Sequence, residues 1–150
     1  MVGQAATVLV RRMCPGEERL FLDLHHAAVH GLAADRYPEA VIDAWAPLPI
    51  TDAAVARVAA NPNRELRFIA EVDGTPAGLA ALVGEDGELR ACYVAPDFCR
   101  RGAGRALIAA VERAACEAGL PSLWLDASIN AVPFYRSLGF SVHPFRRTGE

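Results

Sequence analysis

The sequence lacks the features that would assign it to a membrane, secreted or metal-binding class. It has no uninterrupted apolar run near the ~20 residues of a membrane span, and its first residues lack the ordered regions of a signal peptide. Its 4 cysteines form no CxxC pair, and their spacing with the 4 histidines fits no zinc template. We therefore expect a soluble, cytoplasmic protein with free thiols, no metal ion and no membrane partner.

Lysine is absent as well, because all 15 basic residues are arginine. The net charge of −3 argues against a nucleic-acid partner, although a local basic cluster could still hold a small anion. A chain of 150 residues fits one domain, residues 1–150, and can bury about 70% of its unfolded surface. We expect a single domain with a core of its own.

The hydrophobic periodicity predicts a mixed fold. Strands are predicted over residues 7–12, 66–72, 76–83, 88–94, 122–127 and 140–145, with a turn at Asp73 and Gly74 between the second and the third. Helices are predicted over residues 17–33, 38–45, 53–60, 102–118 and 132–138, with Thr51 as the N-cap of the third. This order is typical of an α/β or α+β fold, with a mixed, mostly antiparallel central sheet that helices flank.

Glycines at the start of the fourth predicted helix form a candidate anion site. The run reads Arg100, Arg101, Gly102, Ala103, Gly104, Arg105. Backbone N–H groups at a helix N-terminus bind phosphate, glycine permits close approach, and arginine adds charge. A Walker loop is excluded because no lysine follows Gly104, and a dinucleotide fingerprint because Leu107 stands at its third glycine. The structural alternative is a glycine pair that only caps a helix.

Two longer segments resemble a known family. Residues 88–114, ELRACYVAPDFCRRGAGRALIAAVERA, are similar to the coenzyme-binding motif of GNAT acetyltransferases, Gln/Arg-x-x-Gly-x-Gly/Ala after a strand that ends in Val-x-Pro. Residues 122–140, SLWLDASINAVPFYRSLGF, resemble the family's second half, with its Ala-x-x-x-Tyr and Leu-Gly-Phe. The resemblance covers about residues 66–145. It implies a GNAT fold, acetyl-CoA as cosubstrate, and direct acetyl transfer to a primary amine of a small molecule or peptide.

The resemblance also implies which residues hold the coenzyme. The backbone of Cys92, Tyr93 and Val94 would pair with the acetyl-pantetheine arm, and residues 100–105 would hold the pyrophosphate. Ser128 stands where many relatives carry an asparagine that contacts the arm, and is assigned to coenzyme binding. One departure is that the motif's Gln/Arg position falls on Cys99.

Acetyl transfer requires a neutral amine and a proton for the departing thiolate. Tyr135 matches the family tyrosine beside the coenzyme sulfur, and a phenol of pKa ~10 can donate that proton. The structural alternative is an aromatic side chain that packs beside Phe134.

Two carboxylates are candidates for the general base, and a water-mediated base is a third alternative. Glu88 begins the strand that leads to the cradle, as the catalytic glutamate of histone acetyltransferases does, and Asp126 ends the next predicted strand. Strict alternation over residues 88–94 places Glu88, Arg90, Cys92 and Val94 on one face. Glu88 would then lie about 13 Å from Cys92 at ~3.3 Å per residue. Direct proton abstraction is too far at that distance, so Glu88 would act through water, whereas the strand that ends at Asp126 should run beside residues 88–94. The resemblance favours Glu88 over Asp126, because the offset of the catalytic glutamate from the cradle is preserved here.

The acceptor site of this family is shaped by its early helices. Here that region holds a concentration of polar and aromatic side chains, namely His25, His26, His30, Tyr37, Glu39 and Trp45. The alternative functions are a non-catalytic acyl-CoA-binding regulatory module and a small interaction domain. Because the residues after Phe140 are few and polar for a final strand, we expect an open sheet edge that pairs with a second copy in a homodimer.

Overall fold

The computed structural model describes residues 6–32, 36–127 and 131–142. The strands are β1 Val8–Arg12, β2 Glu65–Val72, β3 Thr75–Val83 and β4 Glu88–Val94. The helices are α1 Glu18–Leu32, α2 Glu39–Trp45, α3 Asp52–Ala60, α4 Ala103–Glu117 and α5 Val132–Ser137, with a 3₁₀ turn at Pro96–Phe98. The strands form one antiparallel sheet in the order β1-β2-β3-β4, which confirms the predicted fold class.

Short-range signals explain most element boundaries. Asp73 and Gly74 have φ values of 49° and 82°, so this dipeptide makes the tight turn between β2 and β3. Thr51 caps α3, because its hydroxyl oxygen accepts a hydrogen bond from the Ala54 N–H at 3.1 Å. Both features agree with the sequence-based predictions.

The sheet has a helix on each face. On the α4 side, small and aliphatic residues such as Ala70 and Leu82 pack with Leu107. Gly78 contributes to this close packing, since a Cβ there would lie 2.6 Å from the Tyr93 carbonyl oxygen and 3.3 Å from Leu107 Cδ1. On the α1 side, Ile69 and Leu79 pack with Leu24 of α1.

A β-bulge in β4 changes the predicted strand register. Ala81 pairs with Ala91 but Leu82 pairs with Leu89, so Arg90 is an extra residue in β4. Leu89 and Cys92 therefore both pack on the α4 side. The prediction that Glu88, Arg90, Cys92 and Val94 share one face is wrong, because the bulge interrupts the alternation and leaves Glu88 on the α1 side.

The predicted strand over residues 122–127 is also wrong. Trp124 forms an isolated parallel bridge with Glu88, in which the Leu89 N–H donates to the Trp124 oxygen at 2.8 Å. The expectation that this segment runs beside β4 is confirmed. Leu123 and Leu125 pack against the α4-side core, so the apolar pattern reflects packing and not a continuous ladder.

The end of the chain bears on two further predictions. Residues 140–142 are not in a strand, and the rest of the predicted last strand lies outside the described residues. The homodimer and the single-domain organisation stay predictions. Across the described ranges, no helix is both long enough and apolar enough to cross a membrane.

Candidate active site

A pocket of about 250 Å³ lies where β4 and the segment after Trp124 separate. One wall is residues 89–93 of β4, and the opposite wall is residues 125–127 with Ala131 and Tyr135. β4 is an edge strand, so beyond the bridge its outer edge offers backbone N–H and C=O groups to a ligand. The pocket thus combines an open strand edge with side chains from α5.

The pocket brings together some of the predicted site residues and not others. Cys92, Tyr93, Asp126 and Tyr135 line it. Glu88 and Val94, at the two ends of β4, are outside the lining formed by the described part of the chain. Ser128 lies outside the described residues, so its predicted coenzyme contact stays a prediction.

Tyr135 is held inside the pocket by its neighbours in α5 and beyond. Its side chain is only 8% exposed, and its ring packs at 5.2 Å from that of Phe134 and 5.6 Å from that of Phe140. Burial raises the pKa of Tyr135 well above its usual value, and the nearby Cys92 raises it further. Tyr135 is therefore a neutral phenol at physiological pH, with a proton to donate.

Cys92 lies beside Tyr135, because both belong to the α4-side core and line the same pocket. Burial raises the pKa of Cys92 to about 12, and the nearby Tyr135 hydroxyl opposes this rise only in part. A thiol with this pKa is almost fully protonated at neutral pH, which makes it a poor nucleophile. Cys92 is therefore better suited to pack against the Tyr135 phenol than to carry an acyl group as a thioester.

The two candidate bases differ in their surroundings. Glu88 Oε1 accepts hydrogen bonds from Arg90 Nε at 3.1 Å and Nη2 at 2.9 Å. Arg90 also approaches Glu65 at 3.9 Å. Asp126 is exposed at the rim and lines the same pocket as Tyr135. The geometry therefore favours Asp126 over Glu88, which the family resemblance favoured.

The predicted cradle has the backbone of an anion site. Gly102 is the N-cap of α4 with a φ of 89°, and Arg100 also has a positive φ of 64°. The Ala106 N–H donates to Gly102 O at 3.0 Å, so the N–H groups before Ala106 precede the helical ladder. No heavy atom lies within 4 Å of a Cβ built at Gly102. Arg100, Arg101 and Arg105 are exposed around this end of the helix.

Gly104 and Cys99 have local roles that the motif does not reveal. A Cβ at Gly104 would lie 3.1 Å from Phe134 Cζ and 3.7 Å from Val94 Cγ2, so this glycine permits α5 to pack closely on α4. Cys99, at the position usually held by Gln or Arg, donates its S–H to the Ala95 oxygen at 3.7 Å. The side chain that departs from the motif is thus bonded within its own turn.

Three rings form what we call the aromatic wall, defined as Tyr37, Trp45 and Tyr93, and all three line the pocket. The ring of Trp45 is 5.8 Å from that of Tyr37 and 6.3 Å from that of Tyr93, both edge to face. The sequence predicted only a backbone role for Tyr93. Alternation between Cys92 and Tyr93 was the available signal, because it directs their side chains to opposite faces.

The predicted acceptor histidines have different roles. The two ring nitrogens of His26 each lie 2.8 Å from a carbonyl oxygen, those of Leu22 and Pro47, and His30 Nε2 lies 2.7 Å from the Ala46 oxygen. The contacts to Pro47 and Ala46 hold α1 against the segment after α2. Burial lowers the pKa of His25 to about 4, with smaller contributions from the other two histidines, so it is neutral at pH 7.

His25 and Glu39 complete the predicted acceptor set. The His25 ring packs at 4.8 Å from that of Tyr93, so His25 supports the aromatic wall. Glu39 is exposed in the first turn of α2. Among residues 6–32, 36–127 and 131–142, no group of three or more His, Cys, Asp or Glu could hold a metal ion.

Comparison with known proteins gives a consistent family. Residues 33–149 match the model of the acetyltransferase (GNAT) domain. A GCN5-related N-acetyltransferase from Rhodopseudomonas palustris is 34% identical, with a TM-score of 0.77 over 93% of this chain and 83% of that chain. No curated protein sequence matches the chain.

Two more distant structures share the fold. The PaiA N-acetyltransferase from Thermoplasma acidophilum, in complex with coenzyme A, is 19% identical, with a TM-score of 0.75 over 93% of each chain. The aminoglycoside N-acetyltransferase AAC(6′)-Iy, in complex with CoA, is 22% identical, with a TM-score of 0.67 over 99% of each chain.

Proposed function

Because the chain belongs to the GNAT family of acetyltransferases, we propose that it transfers an acetyl group directly from acetyl-CoA to a primary amine of a small molecule or peptide. The observation that carries this proposal is that Tyr135 and Asp126 line one pocket at the open edge of β4. This edge leads through Pro96–Phe98 into the N-terminus of α4. A thioester held along it would have a proton donor and a base within the same pocket.

The residues of the cradle fit a pyrophosphate. The open space beside Gly102 permits close approach, and the first N–H groups of α4 and three exposed arginines supply positive potential. The backbone of residues 92–94 would bind the pantetheine arm as an added strand, and Gly104 would act indirectly through Phe134. Acetyl-CoA, when bound, supplies a thioester whose carbonyl carbon the amine attacks.

The side chains then supply the two proton transfers. Asp126 accepts a proton from the amine, directly or through a water molecule, as the new C–N bond forms. The Tyr135 hydroxyl donates its proton to the sulfur as the C–S bond breaks. Cys92 packs beside the phenol in the wall of the pocket. Glu88 fixes the guanidinium of Arg90 in the pocket wall.

A non-catalytic acyl-CoA-binding module is the second candidate function. Such a module needs the cradle and the β4 edge but has no use for an acid and a base in one pocket. The neutral phenol of Tyr135 beside the exposed Asp126 therefore favours the enzyme. Cytoplasmic location stays a prediction of the sequence.

The test is the release of free CoA thiol when the purified protein is mixed with acetyl-CoA and a panel of primary amines. We expect release that depends on both substrates and saturates with each of them. Calorimetric binding of acetyl-CoA without amine-dependent release would favour the regulatory module. No binding of acetyl-CoA would exclude both candidates and leave an interaction domain.

A further inference from the structure

The aromatic wall is preorganised before any acceptor arrives. The rings of Trp45 and Tyr93 meet edge to face, with their centroids 6.3 Å apart. Edge-to-face contacts to Tyr37 and His25 hold the same pair from either side. The rings come from α1, α2, β4 and the turn before α2, so several elements fix their orientation. Because these rings are already fixed, a ligand that packs on them causes little further loss of side-chain entropy.

The charges of the pocket favour a cation without a carboxylate. Arg90 lines the pocket, but Glu88 holds its guanidinium through two hydrogen bonds. His25 supports the wall as a neutral ring, since its pKa is lowered to about 4. Among the described residues of the lining, the remaining charge is that of Asp126, at the exposed rim. An ammonium group is therefore attracted to the pocket, and a carboxylate on the acceptor is repelled.

The size of the pocket limits what can enter. Its volume of about 250 Å³ is below the ~300–1,000 Å³ range of pockets that enclose drug-sized ligands. It must also receive the acetyl group, so the inserted part of the acceptor is no larger than one ring with a short chain.

We propose that the acceptor is a small primary arylalkylamine without a carboxylate, whose ring packs on Tyr37, Trp45 and Tyr93 while its amine faces Asp126 and Tyr135. This inference rests on the proposed acetyl transfer and adds the substrate class. An aromatic ring is preferred over a saturated one of the same size because its π face complements the edges of the wall, which is worth about 2- to 10-fold in affinity.

The binding test uses three amines of matched shape with the protein saturated by CoA, which gives a ternary complex that cannot react. Calorimetry compares 2-phenylethylamine with 2-cyclohexylethylamine, which lacks the π face, and with phenylalanine, which adds a carboxylate. We expect the phenyl compound to bind about 2- to 10-fold more tightly than the cyclohexyl compound. It should bind at least about fivefold more tightly than phenylalanine. Equal or reversed affinities for either pair would overturn the proposal.

Variants of the wall connect this preference to the named rings. Trp45→Leu keeps an apolar side chain and should bring the phenyl-to-cyclohexyl ratio to about one. Val41→Ala, at an exposed position of the same helix, should leave the ratio unchanged. If Trp45→Leu does not fold, Tyr37→Leu tests the same wall from the turn before α2. An unchanged ratio in the folded variant would overturn the proposal.

Turnover with the same amines separates this inference from the proposed function. Thiol release that is fastest with 2-phenylethylamine supports both. Turnover that prefers amino acids or saturated amines leaves acetyl transfer in place and overturns the substrate class. If no amine of a broad panel is acetylated, acetyl transfer fails, and the calorimetric ratios still decide whether the wall selects aromatic amines.

Discussion

The two sides of the central sheet differ in how they can recognise a ligand. On the α4 side, alanine, glycine and aliphatic residues bring helix and sheet close together, and α4 begins with an open N-terminus around Gly102. On the α1 side, rings and charged groups cover the end of β4. Recognition on the first side depends on backbone groups that small residues leave accessible. Recognition on the second side depends on particular side chains. Substitutions on the two sides should therefore have different effects on ligand binding and turnover.

Substitution of Tyr135 gives the largest expected effect. This residue is an exception to the division between the two sides, because it belongs to the α4-side core yet acts through its side chain. Tyr135→Phe keeps the ring contacts but removes the proton. We expect turnover to fall by about 10²- to 10⁴-fold while acetyl-CoA affinity stays nearly constant. Steady-state kinetics and calorimetry measure the two quantities. Turnover within a factor of two of the wild type would make Tyr135 purely structural.

The next largest effect distinguishes the two carboxylates. Asp126→Asn should lower turnover by about 10²-fold because the amine loses its base. Glu88→Gln should cost less than about tenfold, since Glu88 acts by holding Arg90. The loss in Asp126→Asn should shrink as the pH is raised, because more amine is then neutral in solution. Equal losses, or a larger loss for Glu88→Gln, would return the base to Glu88.

His25, on the α1 side, should make the free energy of unfolding depend on pH. Its folded pKa of about 4 is below the unfolded value of about 6.5, so between these values protons bind only to the unfolded state. Stability is therefore lost as the pH falls through this window, by about 2 kcal/mol between pH 7 and pH 5. His25→Phe keeps a ring against Tyr93 and should remove this part of the loss. Urea titrations at both pH values measure it, and parallel losses in the two proteins would contradict the assignment.

The smallest expected effect tests the cradle. Gly102→Ala places a side chain at a φ of 89°, which costs about 1–2 kcal/mol and shifts the N–H groups of the turn. We expect acetyl-CoA affinity to fall about tenfold as those hydrogen bonds weaken. Gly16→Ala is a matched control, because Gly16 has a φ of 96° and open space around it but lies before α1. A loss of affinity in both variants, or in neither, would argue against the cradle.

Gly104 is a poorer test of the cradle than the sequence suggests. Gly102 and Gly104 look equivalent in the motif, but a larger residue at Gly104 would first displace the ring of Phe134. The resulting change in affinity would mix packing with anion binding. Gly102 avoids this because its surroundings are open.

Prediction from sequence succeeded where the cause is local. The turn at Asp73 and Gly74 and the cap at Thr51 depend on a few adjacent residues, and both are present as predicted. The bulge at Arg90 depends on how β4 aligns with β3, which the pattern of one strand does not contain. The prediction therefore placed Glu88 on the wrong face of the sheet.

The candidate site divides in the same way. The cradle lies within one short segment and was predicted as a unit. The aromatic wall joins Trp45 to Tyr93 across about a third of the chain, and neither residue's neighbours in sequence indicate this contact. Leu123 and Leu125 show the converse, since an apolar run typical of a strand packs on the core without pairing beyond Trp124.

The single bridge between Glu88 and Trp124 has a consequence for how such a protein can change. Each further backbone hydrogen bond that closed the gap would add about 0.5–1.5 kcal/mol of stability. The same bonds would occupy the strand edge that a substrate needs. Selection for stability alone would therefore favour substitutions that extend the pairing and close the gap. Selection for activity opposes them, because the enzyme needs the open strand edge. Stabilising substitutions between residues 91–94 and 125–127 should be recoverable in the laboratory mainly as inactive proteins.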